Sequence, residues 1–202
     1  MSGIVQIGGV ALASHDEGTD KVSLNSGTVF PAGHVLNVVN EEFAIAVDIS
    51  SEEEKICDKA ITLVGANSNL MIFFKSGYRP AATTTYSDVD HAWALGWKTG
   101  AVSATQSDYT AIHTWSPAKE KLTTLNAFRS HDALAGTTIY TTYEVSHFCE
   151  ADLGTVSAGT VVNVSAWGSA ENGHLYVGGP DNVPTGGSGG CLTAFTIFEI
   201  AG

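Results

Sequence analysis

From Phe43 to Ile49 the chain alternates strictly. Phe43, Ile45, Val47 and Ile49 are separated by Ala44, Ala46 and Asp48. A period of two places the large side chains on one face of an extended backbone, so this segment predicts a half-buried strand. Short apolar runs of this kind recur down the chain, divided by Gly, Pro, Asn and Ser. Leu70–Phe74 is continuous, entered through Ala66-Asn67-Ser68-Asn69 and left through Ser76-Gly77, which predicts a fully buried strand. Trp93, Leu95 and Trp97 alternate with Ala92, Ala94 and Gly96, giving a heavy face and a bare face suited to close backbone packing. Further strands are expected with Ile139, Thr141, Tyr143 and Val145 on one side, then with Val162, Val164 and Ala166, then at His174–Val177 and Leu192–Ile200.

About eight or nine strands without any βαβ alternation predict an all-β, antiparallel two-sheet sandwich. Residues 27–202 form that domain in this reading. Residues 1–26 are small and polar, with Ser14-His15-Asp16-Glu17-Gly18 read as a loop, and they predict a short N-terminal arm, docking or flexible. Two helical turns are also expected. Ser51 precedes Glu54 by a capping-box spacing, and Pro117 follows Ser116 at a first helical position.

A hydrophobic content of 44% over 202 residues is enough to bury a core, and 22 glycines with only 15% charged residues fit strands joined by tight turns. The chain carries 9 basic and 21 acidic residues, a net charge of −12, with no basic cluster and no Lys or Arg after Arg129. That balance repels phosphate backbones and anionic lipid, so no nucleic-acid partner is expected. No apolar stretch approaches the roughly 20 residues that span a bilayer, so no membrane insertion is expected. Met1–Val10 lacks the basic and apolar regions of a secretory signal, so the chain is expected to be soluble when made, in the cytoplasm of the cell that makes it. Cys57, Cys149 and Cys191 lie at wide spacings that match neither a disulfide framework nor a metal site, and are read as buried free thiols. There is no solenoid repeat or heptad run to build a fibrous shaft.

Several short motifs invite a catalytic reading. Gly186-Gly187-Ser188-Gly189-Gly190 satisfies GxSxG and resembles the Gly-Asp-Ser-Gly-Gly of trypsin-like proteases. A nucleophile elbow needs a strand before the Ser and a helix after it; here Asn182-Val183-Pro184-Thr185 precedes and a Thr/Phe/Ile strand follows, so Ser188 is read as part of a glycine-rich hairpin loop. Asp88, Asp90 and His91 offer ligand chemistry, but a polar loop leading into the Trp93 strand would carry them anyway. Ser130-His131-Asp132 are adjacent, whereas a triad converges from separate segments, so they are read as a turn. His15, His34, His113, His147 and His174 show no HxH or HExxH spacing. No catalytic, cofactor or metal site is assigned. Trp93, Trp97, Trp115 and Trp167 fit either core packing or stacking on sugar faces, as in a lectin-like carbohydrate-binding module.

The order of four blocks resembles the jelly-roll virion proteins of marine bacteriophages and cyanophages, found in tail fibres, fibre knobs and particle decorations. The blocks are Gly27-Thr28-Val29-Phe30-Pro31-Ala32-Gly33-His34-Val35-Leu36-Asn37-Val38-Val39, Ala60–Tyr78, Gly136-Thr137-Thr138-Ile139-Tyr140 with the strand behind it, and Cys191–Gly202. The chain departs from the pattern at His174-Leu175-Tyr176-Val177-Gly178-Gly179, where the family has a basic, Asn-bearing strand, and at the acidic insertion Glu52-Glu53-Glu54. The resemblance implies a jelly roll like those of tumour necrosis factor and C1q, a homotrimer, a place in the virion, contacts with other virion proteins through the arm, and host glycan or receptor as a further partner. It carries no enzymatic site.

Overall fold

The computed structural model describes residues 4–7, 10–16, 21–24, 32–50, 54–82, 89–112, 129–130, 143–171, 173–178 and 192–202. The chain divides into two compact units, Met1–His34 and Val35–Gly202.

The first unit holds strands β1 (Ile4–Ile7), β2 (Val10–Asp16) and β3 (Lys21–Leu24), paired antiparallel in that order, with a bulge between Val5 and Gln6. Ser14–Asp16, expected in a loop, belong to β2. Ser14 lies opposite both Ile4 and Ser23, and Asp16 opposite Lys21. Ladder pairing here outweighs the local turn preference of Ser and Asp.

The second unit is an all-β sandwich of two antiparallel sheets. Its strands are β4 (Val35–Phe43), β5 (Ala46–Ile49), β6 (Glu54–Thr62), β7 (Asn69–Ala82), β8 (Val89–Thr99), β9 (Thr110–Ala111), β10 (Arg129–Ser130), β11 (Tyr143–Ala151), β12 (Val161–Glu171), β13 (Gly173–Gly178) and β14 (Thr193–Ile200). A 3-10 turn, Gln106–Asp108, precedes β9.

The pairings have one logic. β4 and β5 pair with β14 and β13, β6 with β12, β7 with β11, and β8 with β9 and β10, all antiparallel. The chain is thus a long ribbon doubled on itself, and the ribbon is then rolled so that β7 also meets β14 and β13 while β8 meets β12. One sheet reads β4-β14-β7-β11, with β13 and β5 continuing along the β14 edge of β7; the other reads β6-β12-β8, with β9 and β10 on β8. This is the double Greek key of a jelly roll.

Inward positions of both sheets form one core. Trp93 of β8 sits 5.4 Å from the Tyr78 ring and 6.1 Å from Phe74, both on β7, and Phe74 lies 5.0 Å from Phe195 of β14. Val162, Val164 and Ala166 of β12, Leu70 and Ile72 of β7, and Leu175 of β13 fill the space between. One inward position is a carboxylate. Glu199, in register after Phe195 and Ile197, is fully buried and accepts hydrogen bonds from Val64 N (2.8 Å), Gly65 N (2.7 Å) and Ser68 Oγ (2.8 Å). With three donors from the β6–β7 connection on one side chain, Glu199 ties that connection to β14.

Three expectations change in detail. Phe43, Ile45, Val47 and Ile49 do share the core face, but the strand breaks at Ala44-Ile45, where its partner changes from β14 to β13. Gly178 ends β13 at that break with φ +87°, and a Cβ there would fall on the Ile45 carbonyl, so both shape and space require glycine. Leu70–Phe74 is not buried on both faces. Leu70, Ile72 and Phe74 face the core, Met71 is half-buried and Phe73 is exposed, and β7 runs on through Ser76-Gly77 to Ala82. Glu54 opens strand β6 instead of a helical turn; its carboxylate accepts from Ser50 N at 3.4 Å. Residues 51–53 and the Ser116-Pro117 turn lie outside the described residues.

Candidate functional site

The second sheet turns the bare side of β8 outward, and the chain itself covers it. The segment after β8 returns through the 3-10 turn to β9, which pairs Ala111 with Gly96 and Thr110 with Trp97. This lays Tyr109 over the sheet, 5.7 Å from the Trp167 ring, with Ala94 beneath. A Cβ on Gly96 would stand 2.9 Å from Tyr109 Cβ, so the bare residues of β8 are what admits the cover. The Tyr109 hydroxyl donates to Ser103 O (3.2 Å) and accepts from Ser103 N (3.1 Å), and Lys98 Nζ lies 5.6 Å from its ring centre. Trp167 keeps only 2% of its surface.

The first sheet is different. Outward residues of adjacent strands line up in two rungs: Val38, Phe198 and Met71 in one, Phe73 and Phe148 in the next. Val38, Phe73 and Phe148 are exposed, Phe148 at 56%. Polar pairs border the rungs, with Thr196 Oγ1 donating to Asn40 Oδ1 (2.8 Å) and Asn69 Nδ2 to Glu150 Oε1 (3.1 Å). An apolar centre inside a polar rim is the anatomy of a protein–protein contact surface.

Farther along the same face, β7, β13 and β5 bring Arg79, Tyr176 and Asp48 into one rung. The Arg79 guanidinium lies 5.1 Å over the Tyr176 ring, and the His174 ring lies parallel to that ring at 5.8 Å and 6°. His174 Nδ1 is 2.8 Å from Asp48 Oδ1. Burial, with the Asp48 charge adding to it, raises the Tyr176 phenol above its ordinary range, against the opposing Arg79 charge. The phenol is therefore a hydrogen-bond donor at neutral pH. Arg79 is only 6% exposed, and its buried Nε and Nη2 have no hydrogen-bond partner among the described residues.

Nothing in the sequence motifs singled out Arg79, Tyr176, Asp48 or Glu199. The available signals were charged residues set inside strands, Arg79 directly after Tyr78 and Glu199 two after Ile197. Of the residues weighed earlier, Trp93 is in the core, Trp97 packs against it from a half-buried position, and Trp167 is closed off by Tyr109; Trp115 lies outside the described residues. Two of the three described tryptophans therefore offer no free ring face to a sugar. Asp90 and His91 belong to β8, opposite Glu171 and Ala170, and Ser130 belongs to β10 where a turn was expected. Asp88, Ser188, His113, His131, Asp132 and Cys191 lie outside the described residues. His15 is in β2, His34 precedes β4 and His147 is in β11.

Cys57 and Cys149 are buried free thiols. Burial pushes Cys149 up to about 12, and burial, followed by the Asp58 charge, pushes Cys57 higher still. Neither is a thiolate at neutral pH. Among the described residues no three His, Cys, Asp or Glu side chains gather as metal ligands, and no helix is long and apolar enough to cross a membrane.

No protein-family model matches the chain, and no curated protein matches it in sequence.

Proposed function

We propose that this chain is a structural protein of a bacteriophage particle, a jelly roll that assembles as a homotrimer and serves as a decoration, tail-associated or fibre-knob component in assembly or host attachment. It works through its surfaces, and residues 1–26 dock it to other virion proteins. The observation that carries the reading is the pair of apolar rungs on the outer face of the first sheet, Val38-Phe198-Met71 beside Phe73-Phe148. A rimmed apolar patch on a sheet face is a surface built for a protein neighbour, and a second copy is the simplest one. The virion context is drawn from the four-block resemblance, with which the strand order is compatible; fold alone does not supply function.

Light scattering across micromolar concentrations tests the assembly. The expected mass is three times that of the chain, and Phe148→Asp is expected to return it to one. A native chain that stays monomeric throughout removes the basis of the reading. For the docking role, chains lacking residues 1–26 are expected to be lost from purified particles, and undiminished incorporation argues against it.

The alternative reading, a soluble carbohydrate-binding module, draws its support from the polar rung of Arg79, Tyr176 and Asp48 and no longer from Trp93 or Trp167. A glycan array on the isolated protein distinguishes the two readings.

A further inference from the structure

A guanidinium in the interior is stable only when its donors are engaged, because a buried charge without partners carries a large desolvation cost. Arg79 departs from that rule in a specific way. The nitrogens without partners among the described residues are Nε and Nη2. Their N–H bonds run parallel along one edge of the planar group, the edge that takes the two oxygens of a carboxylate side-on. The guanidinium carbon already lies over the Tyr176 ring, 5.1 Å from its centre. Beside it stand three further polar groups, the Tyr176 hydroxyl and the Asp48–His174 pair, the last two with 44% and 39% of their side-chain surface open.

We propose that the β7–β13–β5 rung is a binding site for a sugar acid, with Arg79 taking the carboxylate through Nε and Nη2 and with Asp48, His174 and Tyr176 facing the sugar hydroxyls. The planar two-donor edge selects a carboxylate. The neighbouring acceptors and donors select a ligand rich in hydroxyls. The chain's net charge of −12 disfavours polyanions at long range and leaves an isolated uronic or nonulosonic acid residue as the class that fits. Neither nitrogen reaches solvent in the free protein, so entry requires neighbouring side chains to move, and slow association is the expected kinetic signature. The site does not depend on trimer formation.

The chain has two arginines, Arg79 and Arg129, so the Arg79 Nε–H resonance is readily assigned in a nitrogen-15 spectrum of the full-length protein. Titration with D-galacturonic acid and N-acetylneuraminic acid, and with their methyl esters, reads the contact directly. At least one free acid is expected to shift that resonance while its ester does not. Arg79→Lys keeps the charge but removes the side-on edge, and is expected to weaken binding about tenfold or more; a melting curve reports whether the variant folds, and the wild-type resonance decides the matter if it does not. No shift with either acid at millimolar concentration, or an equal shift with the ester, overturns the site. A resonance that moves only with protein concentration, in step with the mass of the assembly, also overturns it and assigns the edge to a carboxylate of a second copy. Sugar-acid binding by a protein that remains monomeric upholds this site while removing the homotrimer.

Discussion

The outer faces of the two sheets begin from the same backbone geometry and end in opposite states. On the second sheet, Ala94 and Gly96 leave room that Tyr109 and Trp167 fill, so the face is closed by the chain's own return through β9. On the first, Val38, Phe73 and Phe148 stand out into solvent. Small residues on an outward strand face mark a surface the chain will cover itself, and large ones mark a surface left for something else. The same contrast separates Trp167, whose loss should damage the fold, from Phe148, whose loss should damage only the proposed association.

The sharpest way to break this comparison is Trp167→Ala. If the outer cluster is a true satellite core, the variant should lose about 3–5 kcal/mol of unfolding free energy, the range for removing a buried aromatic, as read by chemical denaturation. A loss within the ordinary scatter of surface substitutions, about 0.5 kcal/mol, would make the Tyr109 cover ornamental. Gly96→Val follows. The new side chain meets Tyr109 Cβ and the Thr110 carbonyl, so overpacking should cost about 1–3 kcal/mol and detach β9. Adding Tyr109→Ala to Gly96→Val should cost less than the sum of the two single changes, because both act on one contact.

The closed face was partly legible in the sequence. The alternation of Trp93, Leu95 and Trp97 with Ala92, Ala94 and Gly96 marked both the core side of β8 and the close approach on its other side, because a period of two is local information. What would lie on the bare side was not, since Tyr109 and Trp167 come from separate stretches joined only by the roll of the ribbon. The same limit explains Leu70–Phe74. A continuous apolar run is compatible with burial on both faces, and only the exposure of Phe73 and of its β11 partner Phe148 shows that one side is an open surface. The Arg79 rung was invisible for a further reason. Its members are 31 and 97 residues apart along the chain, counting from Asp48 to Arg79 and from Arg79 to Tyr176, and no short motif spans such gaps.

The two described cysteines extend the comparison to the inner faces, with Cys57 on β6 of the second sheet and Cys149 on β11 of the first. Burial raises both thiols from an ordinary value of 9.0, Cys149 to about 12. Above about pH 9 the unfolded state therefore holds fewer protons than the native one, and linkage makes stability fall as pH rises. The contribution is fully present below pH 9 and is lost as the pH climbs toward 12. Denaturation at pH 8 and pH 10 should differ by about 1 kcal/mol per thiol, and Cys149→Ala should reduce that slope. A slope unchanged by the substitution would mean that Cys149 is not sealed in the core. Thiol labelling at pH 8 should likewise be slow for both cysteines, with a rate set by opening of their sheets.

The smallest expected effect on folding is the most informative about the open face. At dilution sufficient to give single chains, Phe148→Ala should change unfolding free energy by no more than about 0.5 kcal/mol, because the ring gives up little burial when it is removed. If the proposed trimer forms, the same variant should lower apparent stability at concentrations that populate it, since a bound neighbour stabilises the native state by mass action. The two regimes must diverge for Phe148 and coincide for Trp167, whose contacts with Tyr109 lie within one chain. If Phe148→Ala were as costly in the single chain as Trp167→Ala, part of this chain would have to cover the rung of Phe73 and Phe148, and the difference between the two faces would disappear.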